Sequence, residues 1–363
     1  MRLEGFLQIS GKGRYLTGAV KKTKCLVWDL DNTLWSGTLI EGDRVTLKEN
    51  AVETIKTLDS RGILQSIASK NDYNTAMSKI LEFGLEEFFL YPQINWGPKS
   101  ESIKKIAELI NIGADTLAFI DDQEFELDEV SFSLPEVMCI RAASLDRVVE
   151  MEEMNPVFIT EDSKNRRLMY MADMERNKAE ESYSGPKEEF LSTLGMVFDI
   201  SSASTEDLKR AEELTVRTNQ LNTTGYTYSY DELDGFIKSS GHLLLIASLS
   251  DRYGTYGKIG LVLIEVSESA WIIKLLLMSC RVMSRGVGAI VINYLRNEAR
   301  KRGVKLLAEM IQNDRNRMMY VTYKFSGFTD ISREGQTIIM ENKSLDDIPP
   351  YPEYVKLRFP KFL

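Results

Sequence analysis

The stretch KCLVWDLDNTLWSG sets Asp29 and Asp31 one residue apart at the end of an apolar run. Two like charges this close oppose each other's ionisation unless a cation intervenes. If CLVW is a buried parallel strand, Asp29 stands at its carboxyl end, where open α/β sheets take ligands. Asp31, two residues further along an extended chain, then points the same way and shares the site. The run TLAFIDD brings Asp121 and Asp122 to the end of another strand, ILQSIAS ends in Ser69, and Lys99 opens a helix after NWGP. Carboxylates grouped in this way suit Mg2+. A carboxylate nucleophile, a hydroxyl, an ammonium and a metal are what phosphoryl transfer requires. Singly, these residues also suit loop starts, helix caps and turns; the ordered set at strand ends points to chemistry.

A second reactive group is Cys280 in LLLMSCRVMSRGVGAIVINYL, at the end of an apolar strand and before a helix. Arg281 and Arg285 beside a thiol favour its thiolate and hence a nucleophile. Free N–H groups of the Gly286 and Gly288 turn suit a phosphate or other anion. A cysteine at a strand end also suits small core packing, and His242, before an apolar strand, reads as a strand-start residue rather than a base.

The elements that must position these groups fall into two sets. Between Lys24 and Arg141, apolar runs (CLVWD, ILQSIAS, TLAFIDD, VMCIR) alternate with helix-period stretches (ENAVETIKTLDSRG, NTAMSKILEFG, SESIKKIAELINIG). That alternation predicts an α/β domain with a Rossmann-like parallel sheet. SGTLIEGDRVTL reads as a hairpin flap, and the spacing leaves no room for a large cap domain, so a large substrate or another domain closes the site. Residues 145–187, rich in charge and Met, read as a helical linker. From MVFDIS onward two helices, three strand-like runs, a helix, a strand and a last helix predict an α+β layer. The expected divisions are an N-terminal extension 1–23, a first domain 24–144, the linker, a second domain 188–330 and an extended tail 331–363 covering the second domain.

At 363 residues the chain suits two cores, and 43% hydrophobic with 27% charged residues is ordinary for a folded protein. A net charge of -9 argues against nucleic acid, whose binding draws on Lys and Arg. No apolar run approaches the roughly 20 residues that span a bilayer, and the N-terminus lacks the order of a signal peptide. A cytoplasmic protein with no membrane partner is expected. The 3 cysteines and single histidine form neither a disulfide framework nor a zinc pattern.

DLDNT, the Ser after the second strand, the Lys heading a helix and the later acidic pair resemble the haloacid dehalogenase superfamily. The strand–turn–helix at Cys280 resembles the acetyltransferase-like GNAT fold, which binds the pyrophosphate and pantetheine of coenzyme A; Met283 stands where its fingerprint has Arg or Gln. Together with SIASKND, PQINWGPKS, FIDDQEFELDEV, RTNQLN and DRYGTYG, the chain after about Lys24 resembles FkbH-like proteins, which join two such domains.

The resemblance implies that Asp29 is the nucleophile, Asp31 the general acid/base, and Ser69 and Lys99 the holders of phosphoryl oxygens. Mg2+ would lie among Asp29, Asp31, Asp121 and Asp122. It further implies loading of a glyceryl unit from 1,3-bisphosphoglycerate onto the phosphopantetheine thiol of an acyl carrier protein, in polyketide or related biosynthesis, with Cys280 carrying the group as a thioester. Asn32, Thr33, Lys70, Asn71, Asn219, Gln220, Arg281, Arg285, Gly286 and Gly288 would contact substrate or carrier; RTNQLN and DRYG equally suit caps and turns. Glu124 and Leu127 stand where the family pattern has Pro and Arg, and the extra N-terminal domain of longer relatives is not expected. Two alternatives remain open at this point: a phosphatase fused to a coenzyme A-dependent N-acyltransferase, and a non-catalytic carrier-binding module.

Overall fold

The structure, a computed structural model, describes residues 22–360. The expected N-terminal extension therefore lies outside the described residues, apart from Lys22 and Thr23. Among the described residues the chain divides into two compact units, the first ending at Asn177 and the second beginning at Lys178.

The first unit contains β1 (Cys25–Trp28), a flap of β2 (Trp35–Ser36) and β3 (Thr46–Leu47), α1 (Glu49–Ser60), β4 (Leu64–Ser69), α2 (Tyr73–Glu82) and β5 (Gln93–Ile94). It continues through α3 (Lys99–Ile110), β6 (Leu117–Asp121), α4 (Glu124–Ser133), β7 (Met138–Arg141), the short α5 (Glu161–Lys164) and most of α6 (Arg166–Glu181). Five parallel strands run in the order β5-β4-β1-β6-β7. Along the central strands alternate residues feed opposite faces: Leu26, Trp28, Ala118 and Ile120 pack with α1, whereas Cys25, Val27, Leu117 and Phe119 pack with α3 and α4. Burial on both faces explains why these strands read as unbroken apolar runs. Trp28 is fully buried and its indole donates to Gln65 Oε1 at 2.7 Å, which satisfies a polar pair that would otherwise be costly.

Helix α2 starts where Asp72 accepts from the Thr75 amide at 2.9 Å. Helix α3 follows Pro98, buries Ile103, Ile106 and Ile110 at helical spacing, and ends at Asn111 in the left-handed region. Residues of the expected linker up to Asn177 belong to the first unit: Leu145, Val148 and Met154 lie in the core against α1.

The second unit contains α7 (Lys187–Thr193), β8 (Met196–Ser202), α8 (Leu208–Arg217), α9 (Tyr230–Lys238), β9 (His242–Asp251), β10 (Gly254–Val266) and β11 (Ala270–Met278). After a 3-10 turn (Cys280–Arg285) come α10 (Val287–Arg302), β12 (Lys305–Ile311), α11 (Arg317–Phe325), β13 (Phe328–Glu334), β14 (Thr337–Asn342) and β15 (Val355–Arg358). Its eight strands run β13-β14-β12-β11-β10-β9-β8-β15. The register of β10 on β11 slips so that Leu263 faces Leu275 and Ile264 faces Ile273, leaving Lys274 as a bulge. The bulge resets the alternation. Trp271, Ile273, Leu276 and Met278 share the face packed by α10, while Leu275 and Leu277 meet α8 and α9.

The tail is more than a cover. Residues 331–334 complete β13, Thr337–Asn342 pairs back as β14, and Val355–Arg358 adds the parallel edge strand β15 beside β8. The expected α/β unit followed by an α+β unit is the fold observed.

Candidate active site

Strand parity builds the first site. Asp29 continues the row Cys25, Val27, and its amide extends the ladder onto the Ile120 carbonyl at 2.9 Å. Asp121 continues the row Leu117, Phe119, so both carboxylates emerge toward α3. Lys99, the first residue of that helix, places Nζ 2.5 Å from Asp29 Oδ1 and 2.7 Å from Asp121 Oδ2. All three are buried, and Lys99 also lies 5.4 Å from the centre of the Phe119 ring. The Asp121 Oδ1 accepts from the Gln123 amide at 2.8 Å, which fixes the carboxylate plane. Ser69, buried at the end of β4, helps to hold the Asp29 carboxyl down. The structure thus brings Asp29, Ser69, Lys99 and Asp121 together.

Electrostatics shows what the arrangement lacks. Burial pushes the Asp29 carboxyl above its ordinary range, against the pull of Lys99. Burial, and then the neighbouring Asp29 charge, raise Asp121 to about 6. Burial alone would lower Lys99, but the two carboxylates outweigh it and hold the ammonium charged. Burial and Asp121 raise Asp122 as well. Lys99 contacts two of the three acidic groups and Lys48 acts on Asp122, so the acidic groups still outnumber the cations around them. Asp29, Asp121 and the exposed Asp122 each offer an oxygen, all within 4.8 Å of one another. This all-oxygen set fits a hard divalent cation such as Mg2+.

Asp31 is placed differently from the expectation. After Leu30 the extended chain stops: the amides of Thr33, Leu34 and Trp35 all converge on the Leu30 carbonyl, and Asn32 takes a φ of 55°. The Asp31 carboxylate does not join the three-carboxylate set. Its Oδ1 accepts from the Trp35 indole at 2.7 Å and the Leu39 amide at 3.0 Å, and its Oδ2 from Asn71 Nδ2 at 3.0 Å. The flap and the β4–α2 loop therefore hold this carboxylate between them.

The neighbouring expected contacts are mostly internal. Asn32 accepts from the Gly37 amide at 3.0 Å, Thr33 is fully buried, and Asn71 is spent on Asp31. Lys70 pairs with the buried Glu126 of α4 at 2.6 Å. Glu124 pairs with Arg141 at 2.5 Å, and Leu127 sits in the core against α3, so neither faces the carboxylates as a phosphate-binding cation would. Trp35 and Glu126 were not singled out in the sequence; their roles depend on loop geometry that periodicity does not encode.

In the second unit Cys280 is partly exposed at the start of the 3-10 turn, with Sγ 4.0 Å from Gln220 Oε1. Gln220 and Asn219 are exposed. Arg281 and Arg285, expected to serve an anion or the thiol, are turned inward. Arg281 donates to the Tyr256 carbonyl at 2.7 Å, and the buried Arg285 pairs with Glu180 at 2.9 Å. A guanidinium buried in the turn before α10 needs such partners, and making these bonds turns it away from a ligand. Gly286 takes a φ of 73°, the left-handed turn that starts α10, and nothing lies within 4 Å of Gly288 where a Cβ would stand. Among the described residues, no helix is long and apolar enough to cross a membrane.

No family model and no curated protein matches the chain. Among solved structures it is similar to the N-terminal part of protein BF1531 from Bacteroides fragilis, containing a phosphatase domain complexed with Mg. That match is 29% identical, covers 37% of this chain and 40% of the other, and has a TM-score of 0.32. A HAD-superfamily hydrolase from Ehrlichia chaffeensis matches at 16% identity over 34% of this chain and 88% of its own, with a TM-score of 0.29. The PaiA N-acetyltransferase from Thermoplasma acidophilum, solved in complex with coenzyme A, matches at 19% identity over 40% of this chain and 98% of its own, with a TM-score of 0.33.

Proposed function

We propose that the chain is a two-site phosphoryl- and acyl-transfer enzyme. The first unit removes phosphate through Asp29, and the second passes a glyceryl unit through Cys280 to the phosphopantetheine thiol of an acyl carrier protein, with 1,3-bisphosphoglycerate as donor. The observation that carries the reading is the buried Asp29–Lys99–Asp121 cluster at the carboxyl ends of parallel strands.

A carboxylate oxygen of Asp29 attacks phosphorus as the bond to the leaving oxygen breaks, giving an aspartyl phosphate; water then attacks the same phosphorus and restores the carboxylate. Lys99 and the Ser69 hydroxyl bind phosphoryl oxygens and offset their charge. Asp31, steadied by Trp35, Leu39 and Asn71, gives a proton to the leaving oxygen and takes one from the attacking water. Mg2+, held by Asp29, Asp121 and Asp122, would neutralise charge on the phosphoryl oxygens. At Cys280 the thiolate sulfur attacks the acyl phosphate carbonyl, expelling phosphate; transfer to the carrier thiol exchanges one thioester for another. The structure neighbours with a phosphatase domain and an acetyltransferase fold agree with this pairing of activities.

The reading is tested by incubating the protein with 1,3-bisphosphoglycerate, Mg2+ and holo carrier protein and weighing the carrier. A glyceryl adduct that disappears in Cys280→Ala is expected; no adduct on any cognate carrier, with normal phosphate release, would remove the acyl-transfer half.

A further inference from the structure

Strands β11 and β12 pair in parallel only from Ala270 to Ile273 against Lys305 to Ala308. Beyond that point the two strands no longer pair with each other, and the edge of each needs another partner. Such an edge is a template for an added extended segment, because its amides and carbonyls need partners. In the acetyltransferase-like fold the extended, amide-bearing pantetheine arm of coenzyme A is the ligand suited to it.

Here the chain supplies that partner itself. The Thr223 amide donates to the Leu276 carbonyl at 3.1 Å, and the Leu276 amide donates to Thr223 Oγ1 at 3.0 Å. The Met278 amide donates to the Leu221 carbonyl at 2.9 Å, and Asn222 forms an antiparallel bridge with Leu277. On the other side the Ile311 amide donates to the Thr223 carbonyl at 3.0 Å. The segment Leu221–Thr223 is therefore hydrogen-bonded to both strands. Asn316 locks it: its Nδ2 reaches the carbonyls of Asn222 at 3.1 Å and Ile311 at 2.9 Å. Asn222, Thr223 and Asn316 are all fully buried.

The turn that would take a pyrophosphate is exposed at Ser284 and Gly286, with one side chain resting against it. A Cβ at Gly286 would stand 2.7 Å from the Tyr354 hydroxyl, so the C-terminal segment lies over the turn that starts α10. The guanidinium of Arg285 is held by Glu180.

We infer that the second unit takes no coenzyme A, because residues Leu221–Thr223 of its own chain occupy the pantetheine slot. The inserted segment leaves Gln220 beside Cys280 on the exposed side, and it is from this side that a thiol or acyl partner reaches the sulfur. This inference does not depend on phosphoryl transfer in the first unit, and its test reads binding rather than turnover.

The experiment is isothermal titration of the intact protein with coenzyme A and with desulfo-coenzyme A, which cannot exchange with Cys280, up to millimolar concentration. Hydrogen exchange is followed at Leu276, Met278 and Ile311 with and without ligand. Expected are no saturable heat with either compound and slow exchange at all three amides, unchanged by the ligand. Saturable binding of either compound overturns the inference, as does exchange at these amides as fast as at an open strand edge.

Discussion

In the first unit the central strands end in Asp29 and Asp121, and the space beyond them holds more negative charge than Lys99 offsets. In the second, β11 and β12 also part company, but Leu221–Thr223 and Asn316 meet the backbone groups that the parting exposes. The first opening is electrostatically incomplete and calls for a cation and a phosphoryl group. The second is bridged by hydrogen bonds from its own chain, and what it presents outward is a thiol. An unmet need at a sheet end marks a place for a ligand, whereas a need met by the chain itself marks structure.

The comparison can be broken most sharply at Asp29. Substituting Asp29→Asn keeps the shape but removes the nucleophile, and phosphate release from a phosphate monoester, which offers Cys280 no acyl carbon, should fall at least ~10³-fold, the scale of losing a catalytic nucleophile; near-normal steady-state release would contradict the assignment.

Next in size is Lys99→Met. Removing one partner of a buried ion pair costs about 3–5 kcal/mol, so urea unfolding in EDTA should shift to clearly lower denaturant. Added Mg2+ should restore part of the loss, since it brings the missing positive charge to the same carboxylates. A variant as stable as the parent in EDTA would show that the lysine does not neutralise them.

In the second unit, Asn316→Ala withdraws a fully buried amide from carbonyls that lie out of reach of water, for about 1–3 kcal/mol of stability. Faster exchange at Ile311 should accompany it. Phosphate release by the first unit should stay unchanged, which separates the two sites.

A smaller effect is expected at Trp35→Phe, which takes one donor from Asp31 but retains an aromatic ring. General acid/base catalysis contributes ~10²–10⁴-fold, so loss of one orienting bond should lower kcat about tenfold and leave KM in place. An unchanged kcat would mean the indole only packs.

The smallest perturbation is chemical. With iodoacetamide under native conditions Cys280 should react first and Cys25 last, because burial pushes the Cys25 thiol well up and closes it off. Peptide mapping that found Cys25 labelled ahead of Cys280 would reverse the picture of which thiol is presented.

Much of this was legible in the sequence where a local rule and the final geometry agree. Apolar runs buried on both faces gave the parallel strands, and their parity carried Asp29 and Asp121 to one side. Lys99 followed from Pro98, which starts the helix. Asp31 was misplaced because the alternation rule assumes an extended chain, and the turn at Leu30–Trp35 ends it. Arg281 and Arg285 looked like anion ligands by type and proximity, but their burial, which only the folded packing reveals, turned them to Tyr256 and Glu180. The strand-like role of Leu221–Thr223 left no periodic signal, since it is a short polar segment whose partners lie about 50 and 90 residues further along the chain. Strand β15 was hidden in a proline-rich tail for the same reason: its ladder partner is the distant β8.

The central claim is that Asp29 accepts a phosphoryl group. Brief reaction with an acyl phosphate and Mg2+, acid quench and peptide mass mapping should find one added phosphoryl on the peptide containing Asp29, labile to hydroxylamine and absent from Asp29→Asn. A Cys280→Ala protein that still releases phosphate with no such adduct, or an adduct intact in Asp29→Asn, would contradict the account.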